Sequence, residues 1–111
     1  MGLYIHPVNQ NSNCESLEDT PSLFCSYDDI LIIMDAKPFN GSLTLDDFGC
    51  CYDEKQLKWE LDDCINYRDD ILENIREDYD TEDTQYYMEI LDQYVAVLQF
   101  AVDTGMGICW G

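Results

Sequence analysis

Carboxylates are the most abundant chemically active side chains in this sequence, and most of them occur in adjacent pairs. The chain has 24 Asp and Glu residues against five Lys and Arg, a formal net charge of −19 over 111 residues. The adjacent pairs stand at residues 18–19, 28–29, 46–47, 53–54, 62–63, 69–70, 77–78 and 82–83. A carboxylate pair performs acid–base chemistry only where its two environments differ. So many similar pairs, without distinguishing pocket residues, predict a charged surface and not a catalytic centre.

A calcium loop is the most specific alternative chemistry in this acidic pattern. Oxygen-bearing residues at positions 78, 80, 82, 84, 86 and 89 follow the spacing of EF-hand ligands. However, the sixth position of that loop is Asp83, where the sharp turn needs glycine, and the eighth is Gln85 instead of an apolar residue. The first turn of a helix that is rich in acidic residues gives the same sequence pattern. A calcium-responsive or merely structural module is therefore kept only as an alternative.

The cysteines and the single histidine match no metal or nucleophile motif. Cys50 and Cys51 are adjacent, no Cys-x-x-Cys pair occurs, and His6 lies near the N-terminus. There is also no Gly-rich phosphate loop and no Ser-centred elbow. We therefore expect no catalytic residue, no metal and no cofactor, and we expect that the protein is not an enzyme.

Composition and length predict a small globular protein of the cell interior. The hydrophobic fraction is 46 %, as in ordinary globular chains, and the length predicts a single domain over residues 1–111. No basic region precedes a long apolar run at the N-terminus, and no stretch approaches the ~20 apolar residues of a membrane span. We expect a cytoplasmic protein, in a bacterial cell or an infected host cell, with its cysteines reduced.

The first half of the chain predicts a small antiparallel sheet. Residues 3–8 favour a short strand, and the continuous apolar run Ile30–Met34 is typical of a buried strand. Asn40-Gly41 indicates a tight turn, so residues 30–45 are predicted to form a β-hairpin. The apolar tail at 106–111 is predicted to return as a last short strand.

The second half predicts an αα-hairpin laid on that sheet, which together make an α+β fold. Apolar residues at helical spacing indicate helices at about 53–77 and about 82–104, the first with acids nearly opposite its apolar arc. Asp80 or Thr81 can cap the start of the second helix, and Gly105 is placed to end it.

The acidic face of the first predicted helix is the candidate partner-binding surface. Residues 53–83 carry 13 acids and four bases, a local net charge of −9. Acidic pairs that recur every seven or eight residues would lie about 10–12 Å apart on one helix. Trp59 projects into this face as an interface anchor, unless residues 9–27 cover it. The predicted surface comprises Trp59, Asp62, Asp63, Asp69, Asp70, Glu73 and Glu77.

A negative surface of this density argues against direct binding to nucleic acid or to an anionic membrane. It favours a basic, nucleic-acid-binding protein or complex, because such a site attracts carboxylates as it attracts phosphates. An ordinary solvated face is the plainest alternative, and both a monomer and a homodimer are compatible with the pattern.

In size, charge and acidic helix, the chain resembles the small DNA-mimic inhibitors that phages and mobile elements direct at host nucleic-acid enzymes. Among these, the analogy favours an anti-CRISPR protein. The chain also resembles the immunity proteins that neutralise basic nuclease toxins, and the sequence does not separate the two classes.

Overall fold

A computed structural model describes residues 2–9, 20–38 and 49–111, in which a four-stranded antiparallel sheet packs against helices. The predicted α+β class is confirmed, and so are the N-terminal and C-terminal strands. The strands pair in the order β2-β1-β4-β3. Their bounds are β1 Gly2–Val8, β2 Leu23–Ser26, β3 Gly49–Cys51 and β4 Gly107–Trp110.

Four helices lie in the described residues, and the last of them is the centre of the packing. Their bounds are α1 Tyr27–Ala36, α2 Glu54–Asn66, α3 Arg68–Asp78 and α4 Thr81–Thr104. Helix α4 contacts β1, β2 and β4, and it also contacts each of the other helices. Tyr94, Leu91 and Leu98 of α4 are fully buried, in one apolar core with Leu3 and Ile5 of β1.

Helix α4 begins after the cap residue Asp80 and ends at Gly105, as predicted. The Asp80 carboxylate accepts a hydrogen bond from the backbone N–H of Asp83 at 2.8 Å, which satisfies one of the free donors of the first turn. Gly105 ends the helix with φ of 70°, a left-handed conformation that glycine adopts without a steric penalty.

The predicted strand at Ile30–Met34 is wrong, because these residues belong to helix α1. The side chain of Ser26 accepts a hydrogen bond from the backbone N–H of Asp29 at 3.1 Å and so caps the helix. Ile30 and Ile33 are fully buried while Leu31 is exposed, which is helical spacing. The rest of the predicted hairpin, residues 39–45, lies outside the described residues. Strands β2 and β3 supply the sheet positions that the hairpin was expected to fill.

The predicted single helix at about 53–77 is interrupted at Tyr67, which separates α2 from α3. The backbone of Tyr67 has φ of −105° and ψ of 16°, outside the helical region, although its N–H still donates to the carbonyl of Asp63 at 2.9 Å. Helix α2 packs on α4, whereas α3 packs on both α1 and α4. Ile71 and Ile75 of α3 are buried in the packing of α3 against α1 and α4.

The expectation that all cysteines are reduced is also wrong, because Cys50 and Cys109 form a disulfide. The two residues are direct cross-strand partners in β3 and β4, with their Cα atoms 4.2 Å apart, although 59 positions separate them in the sequence. In the described residues, Cys25, Cys51 and Cys64 are free thiols and buried.

Candidate partner-binding surface

Helix α3 carries the densest part of the predicted surface. Asp69, Asp70, Glu73 and Glu77 are all exposed on this 11-residue helix. The 1.5 Å rise per residue places Asp69 and Glu77 about 12 Å apart along the axis. The opposite side of the helix is buried, as the periodicity of the sequence predicts.

Asp62 and Asp63 belong to the preceding helix, so the predicted residues do not lie on one continuous rod. Asp62 is exposed and Asp63 half-buried, both in the last turns of α2. Tyr67 lies between the two helices and has non-helical backbone angles. The predicted residues are consequently divided between two consecutive helices, with the larger number of them on α3.

Trp59, the predicted interface anchor, is exposed to solvent. Its exposed fraction is 59 %, and it shares a face of α2 with Asp62 and Asp63, three and four residues further on. Ile65 and Tyr67 are exposed by 50 % and 40 % at the end of the same helix. The helical spacing of the apolar residues predicts Ile65 on the buried side of this helix, so its exposure is a difference that only the structure shows.

The arginines of α3 are already paired with acids. The Arg68 guanidinium donates two hydrogen bonds to the carboxylate of Asp92 on α4, at 3.0 and 2.9 Å, and this contact raises the pKa of Arg68. Arg76 lies 3.5 Å from Glu73 in a pair whose two side chains are largely exposed. Within the described residues, no ion pair involves Asp69, Asp70 or Glu77. These three carboxylates therefore face solvent without a salt bridge in the described part of the chain, although Asp69 contributes at longer range to the raised pKa of the adjacent Arg68.

A second acidic feature is a cavity between α1 and α3, which the sequence did not predict. Its volume is about 300 Å³, and Asp35, Glu77 and Asp78 contribute carboxylates to its lining. The side-chain amide of Asn74 joins the two helices beside it by donating to the backbone carbonyl of Ala36 at 2.8 Å. Asp35 was missed because its segment was predicted to be a strand.

The segment with EF-hand ligand spacing, which was kept only as an alternative, does not form a loop. Asp80 is occupied as the cap of α4, and residues 81–89 are helical. Across residues 2–9, 20–38 and 49–111, no group of three or more His, Cys, Asp or Glu side chains is arranged to hold a metal ion.

One acid of this region is not a surface residue at all. Glu60 of α2 is completely buried and forms an ion pair with Lys37, whose side chain is 2 % exposed. Tyr94 donates its hydroxyl to Glu60 Oε1 at 3.3 Å, and burial raises the pKa of Tyr94 well above its ordinary value. Because the pair is enclosed, it joins α1, α2 and α4 and offers no access to a substrate.

No family model, no characterised protein and no solved structure matches this chain. Among the described residues, none of the helices combines the length and the apolar character that a membrane span requires.

Proposed function

We propose that this protein is an acidic inhibitor, which binds the basic nucleic-acid-binding site of a partner protein or complex. The observation that carries the proposal is the combination of three solvent-facing acids on α3, Asp69, Asp70 and Glu77, with the exposed Trp59 on α2. A charged, DNA-mimic-like surface supplies attraction, and the aromatic side chain supplies a desolvated anchor.

The charge explains fast association with a basic site. A cleft built to bind phosphates concentrates positive potential, and a chain with a net charge of −19 is drawn into it at a rate that falls as salt increases. Since the Debye length is about 8 Å at physiological ionic strength, only carboxylates close to the contact act strongly. Asp62 and Asp63, about one turn from Trp59 on α2, satisfy this condition for a partner that contacts Trp59, and the acids of α3 act on the same partner where its basic surface extends to them.

The class of partner follows from the same chemistry. Effector complexes that hold guide RNA, restriction enzymes and glycosylases all present basic clefts, and an anti-CRISPR role is the one that we favour by analogy. An immunity protein for a basic nuclease toxin would use the same surface, so it is the second outcome of the tests below.

Affinity capture from bacterial lysate tests the proposal first. Purified protein is immobilised, lysate is applied at low and at near-physiological salt, and bound proteins are identified by mass spectrometry. We expect one nucleic-acid-binding enzyme or complex to remain at the higher salt. Its activity and its binding to nucleic acid are then measured with and without this protein, and competition between the two ligands is the expected result.

Paired variants connect the binding to the surface. Asp69→Lys with Asp70→Lys should slow association at low salt by on the order of tenfold or more. Glu89→Lys with Asp103→Lys makes the same change of charge on the exposed side of α4 and should have a much smaller effect. Asp69→Asn with Asp70→Asn separates loss of charge from its reversal.

Trp59→Ala should weaken binding by about 30-fold or more if Trp59 is a central anchor. If inhibition persists unchanged in both the Lys pair and Trp59→Ala, the surface assignment is wrong. Capture of a toxic nuclease, with no effect on other nucleic-acid enzymes, would replace the inhibitor by an immunity protein.

A further inference from the structure

A cleft between α3 and α4 borders the acidic surface, through Arg76 and its partner Glu73, and has a different chemistry. Its volume is about 590 Å³, which is in the range of small-molecule sites. Leu72, Tyr79 and Met88 give it apolar walls, while Arg68 and Arg76 bring two of the chain's five Lys and Arg residues to its rim. In a chain so poor in basic residues, this concentration of guanidinium groups is unexpected.

The two arginines are held to different degrees. Arg68 makes two short hydrogen bonds to Asp92 and is already satisfied. Arg76 is 61 % exposed and lies 3.5 Å from a Glu73 carboxylate that is 71 % exposed. Exposed pairs of this kind contribute little to stability. The Arg76 guanidinium can therefore exchange Glu73 for the carboxylate of a ligand, which it would bind with two parallel hydrogen bonds.

A buried polar atom supplies an independent observation. Thr84 lines the cleft and is 4 % exposed, and its hydroxyl has no hydrogen-bond partner. Buried hydroxyls are normally paired, so such a group points to a missing partner. Asp80, which also lines the cleft, is turned to its own helix, where it accepts the 2.8 Å hydrogen bond from Asp83.

We propose that this cleft binds a small carboxylate with an apolar body. Arg76 binds the carboxylate and the apolar walls enclose the body. The Thr84 hydroxyl is enclosed in the free chain, and a rotation of its side chain would present it to a polar atom of the ligand. A singly charged carboxylate fits better than a dianion such as phosphate, because the negative charge of the chain repels a dianion about twice as strongly. The proposal does not rest on the proposed function, although Glu73, the partner of Arg76, belongs to the predicted acidic surface, and either proposal can fail without the other.

The experiment is a titration of the ¹⁵N-labelled full chain with three probes of matched shape, followed by NMR. The probes are 4-phenylbutyrate, its neutral amide 4-phenylbutyramide and the cation 4-phenylbutylamine. The acid should shift the amide resonances of Leu72, Thr84 and Met88 with a dissociation constant on the order of 1 mM, which ordinary ligand efficiency gives for a probe of this size. The neutral amide should bind about tenfold more weakly, because it lacks the charge-assisted hydrogen bonds.

Variants assign the recognition to named groups. Arg76→Gln should abolish the preference for the acid over the amide, while Glu73→Gln, which frees the guanidinium, should tighten binding of the acid several-fold. Asp103→Asn removes the same charge near the far end of α4 and is the control for the general field. Thr84→Val keeps the shape of the side chain and should weaken binding of the acid without destabilising the free protein.

Three results would overturn the proposal. The first is the absence of saturable shifts at these residues up to about 10 mM acid. The second is binding of the amide or of the amine that equals or exceeds binding of the acid. For the amide this would mean that Arg76 does not recognise the carboxylate, and for the amine that the negative charge of the chain outweighs the arginines in the cleft. The third is a preference for the acid that survives Arg76→Gln in a variant whose spectrum is otherwise unchanged.

Discussion

Replacing Glu60 by Gln is the sharpest perturbation of the folded state that the structure offers. The substitution keeps the size of the side chain and an acceptor for the Tyr94 hydroxyl, but it removes the negative charge beside Lys37. Both charged side chains are nearly inaccessible, with exposed fractions of 2 % for Lys37 and 0 % for Glu60. The buried Lys37 ammonium group would then lose its Glu60 counter-ion.

The magnitude follows from the asymmetry of buried ion pairs. An intact buried pair contributes little, because the attraction mostly offsets the loss of hydration, whereas removing one partner destabilises by about 3–5 kcal/mol. A domain of ordinary stability unfolds with about 5–15 kcal/mol, so Glu60→Gln should remove roughly a fifth or more of the total. The melting temperature should fall by on the order of 10–20 °C for a chain of this size.

The assay is urea unfolding followed by circular dichroism, with Asp62→Asn as the matched control. Asp62 lies on the same helix and is exposed, so its neutralisation should change the free energy of unfolding by less than about 0.5 kcal/mol. A triple variant, Lys37→Met, Glu60→Leu and Tyr94→Phe, removes the ion pair and the Tyr94 hydroxyl together. Its stability should lie within about 2 kcal/mol of the natural chain.

The reasoning is refuted if Glu60→Gln changes the free energy of unfolding by less than about 1 kcal/mol, because the charges would then be solvated. It is also refuted if the triple variant is as unstable as the single one. In that case the loss would come from packing at position 60 and not from an unpaired charge.

Three further predictions concern pH, the disulfide and a helix end. Burial raises the pKa of Cys64 from 9.0 to about 12 and that of Tyr94 well above 10, so the unfolded chain loses these protons at a lower pH than the folded chain does. The free energy of unfolding should therefore be constant up to about pH 9 and then fall, by about 1.4 kcal/mol per group and pH unit, above the pKa of each group in the unfolded chain. Urea midpoints that stay flat up to about pH 11 would contradict this. Reduction of the Cys50–Cys109 disulfide, which closes a loop of 59 positions, should lower the free energy of unfolding by about 2–4 kcal/mol, and an unchanged urea midpoint in reductant would count against the bond. Gly105→Ala should lower the free energy of unfolding by about 1–2 kcal/mol through backbone strain alone, because φ is 70° and no atom lies within 4 Å of the added Cβ. Equal stability of the two chains in urea would disprove this strain.

The long helix α4 could be predicted because its signals are local. Its apolar residues recur at helical spacing, Asp80 supplies the cap and Gly105 the stop, all within one contiguous segment. The exposure of the acids on α3 could be predicted for the same reason, since a helical wheel needs only the positions of neighbouring residues.

Helix α1 shows how a local signal can be misread. A short apolar run such as Ile30–Met34 fits a buried strand and a buried helix equally well. The deciding signal stands just before the run, where Ser26 caps the helix and Asp28 and Asp29 fill its first turn. Strand β2, at Leu23–Ser26, alternates buried and exposed residues but is too short to stand out from the polar loop.

Other features depend on contacts that no local pattern contains. The disulfide requires the pairing of β3 with β4, and the break at Tyr67 requires the packing of α3 on α1. Glu60 falls just beside the apolar arc of its helix, at about −60° from Leu57, but its partner Lys37 lies 23 positions away in a segment predicted to be a hairpin. The sequence analysis therefore counts Glu60 only in the net charge of residues 53–83, and the fold shows that it is buried and paired.

The placement of the remaining acids favours a role in binding. Glu77 and Asp78 end α3, and Asp35 lies in the last turn of α1, which has no basic residue there. A helix C-terminus is itself partially negative, so each acid in the last turn costs roughly 0.3–1 kcal/mol. All three carboxylates nevertheless line the same cavity. Departures from a local preference tend to occur where function requires them. A merely solvated face could carry its acids anywhere, whereas acids gathered at the negative ends of two helices favour a cationic partner.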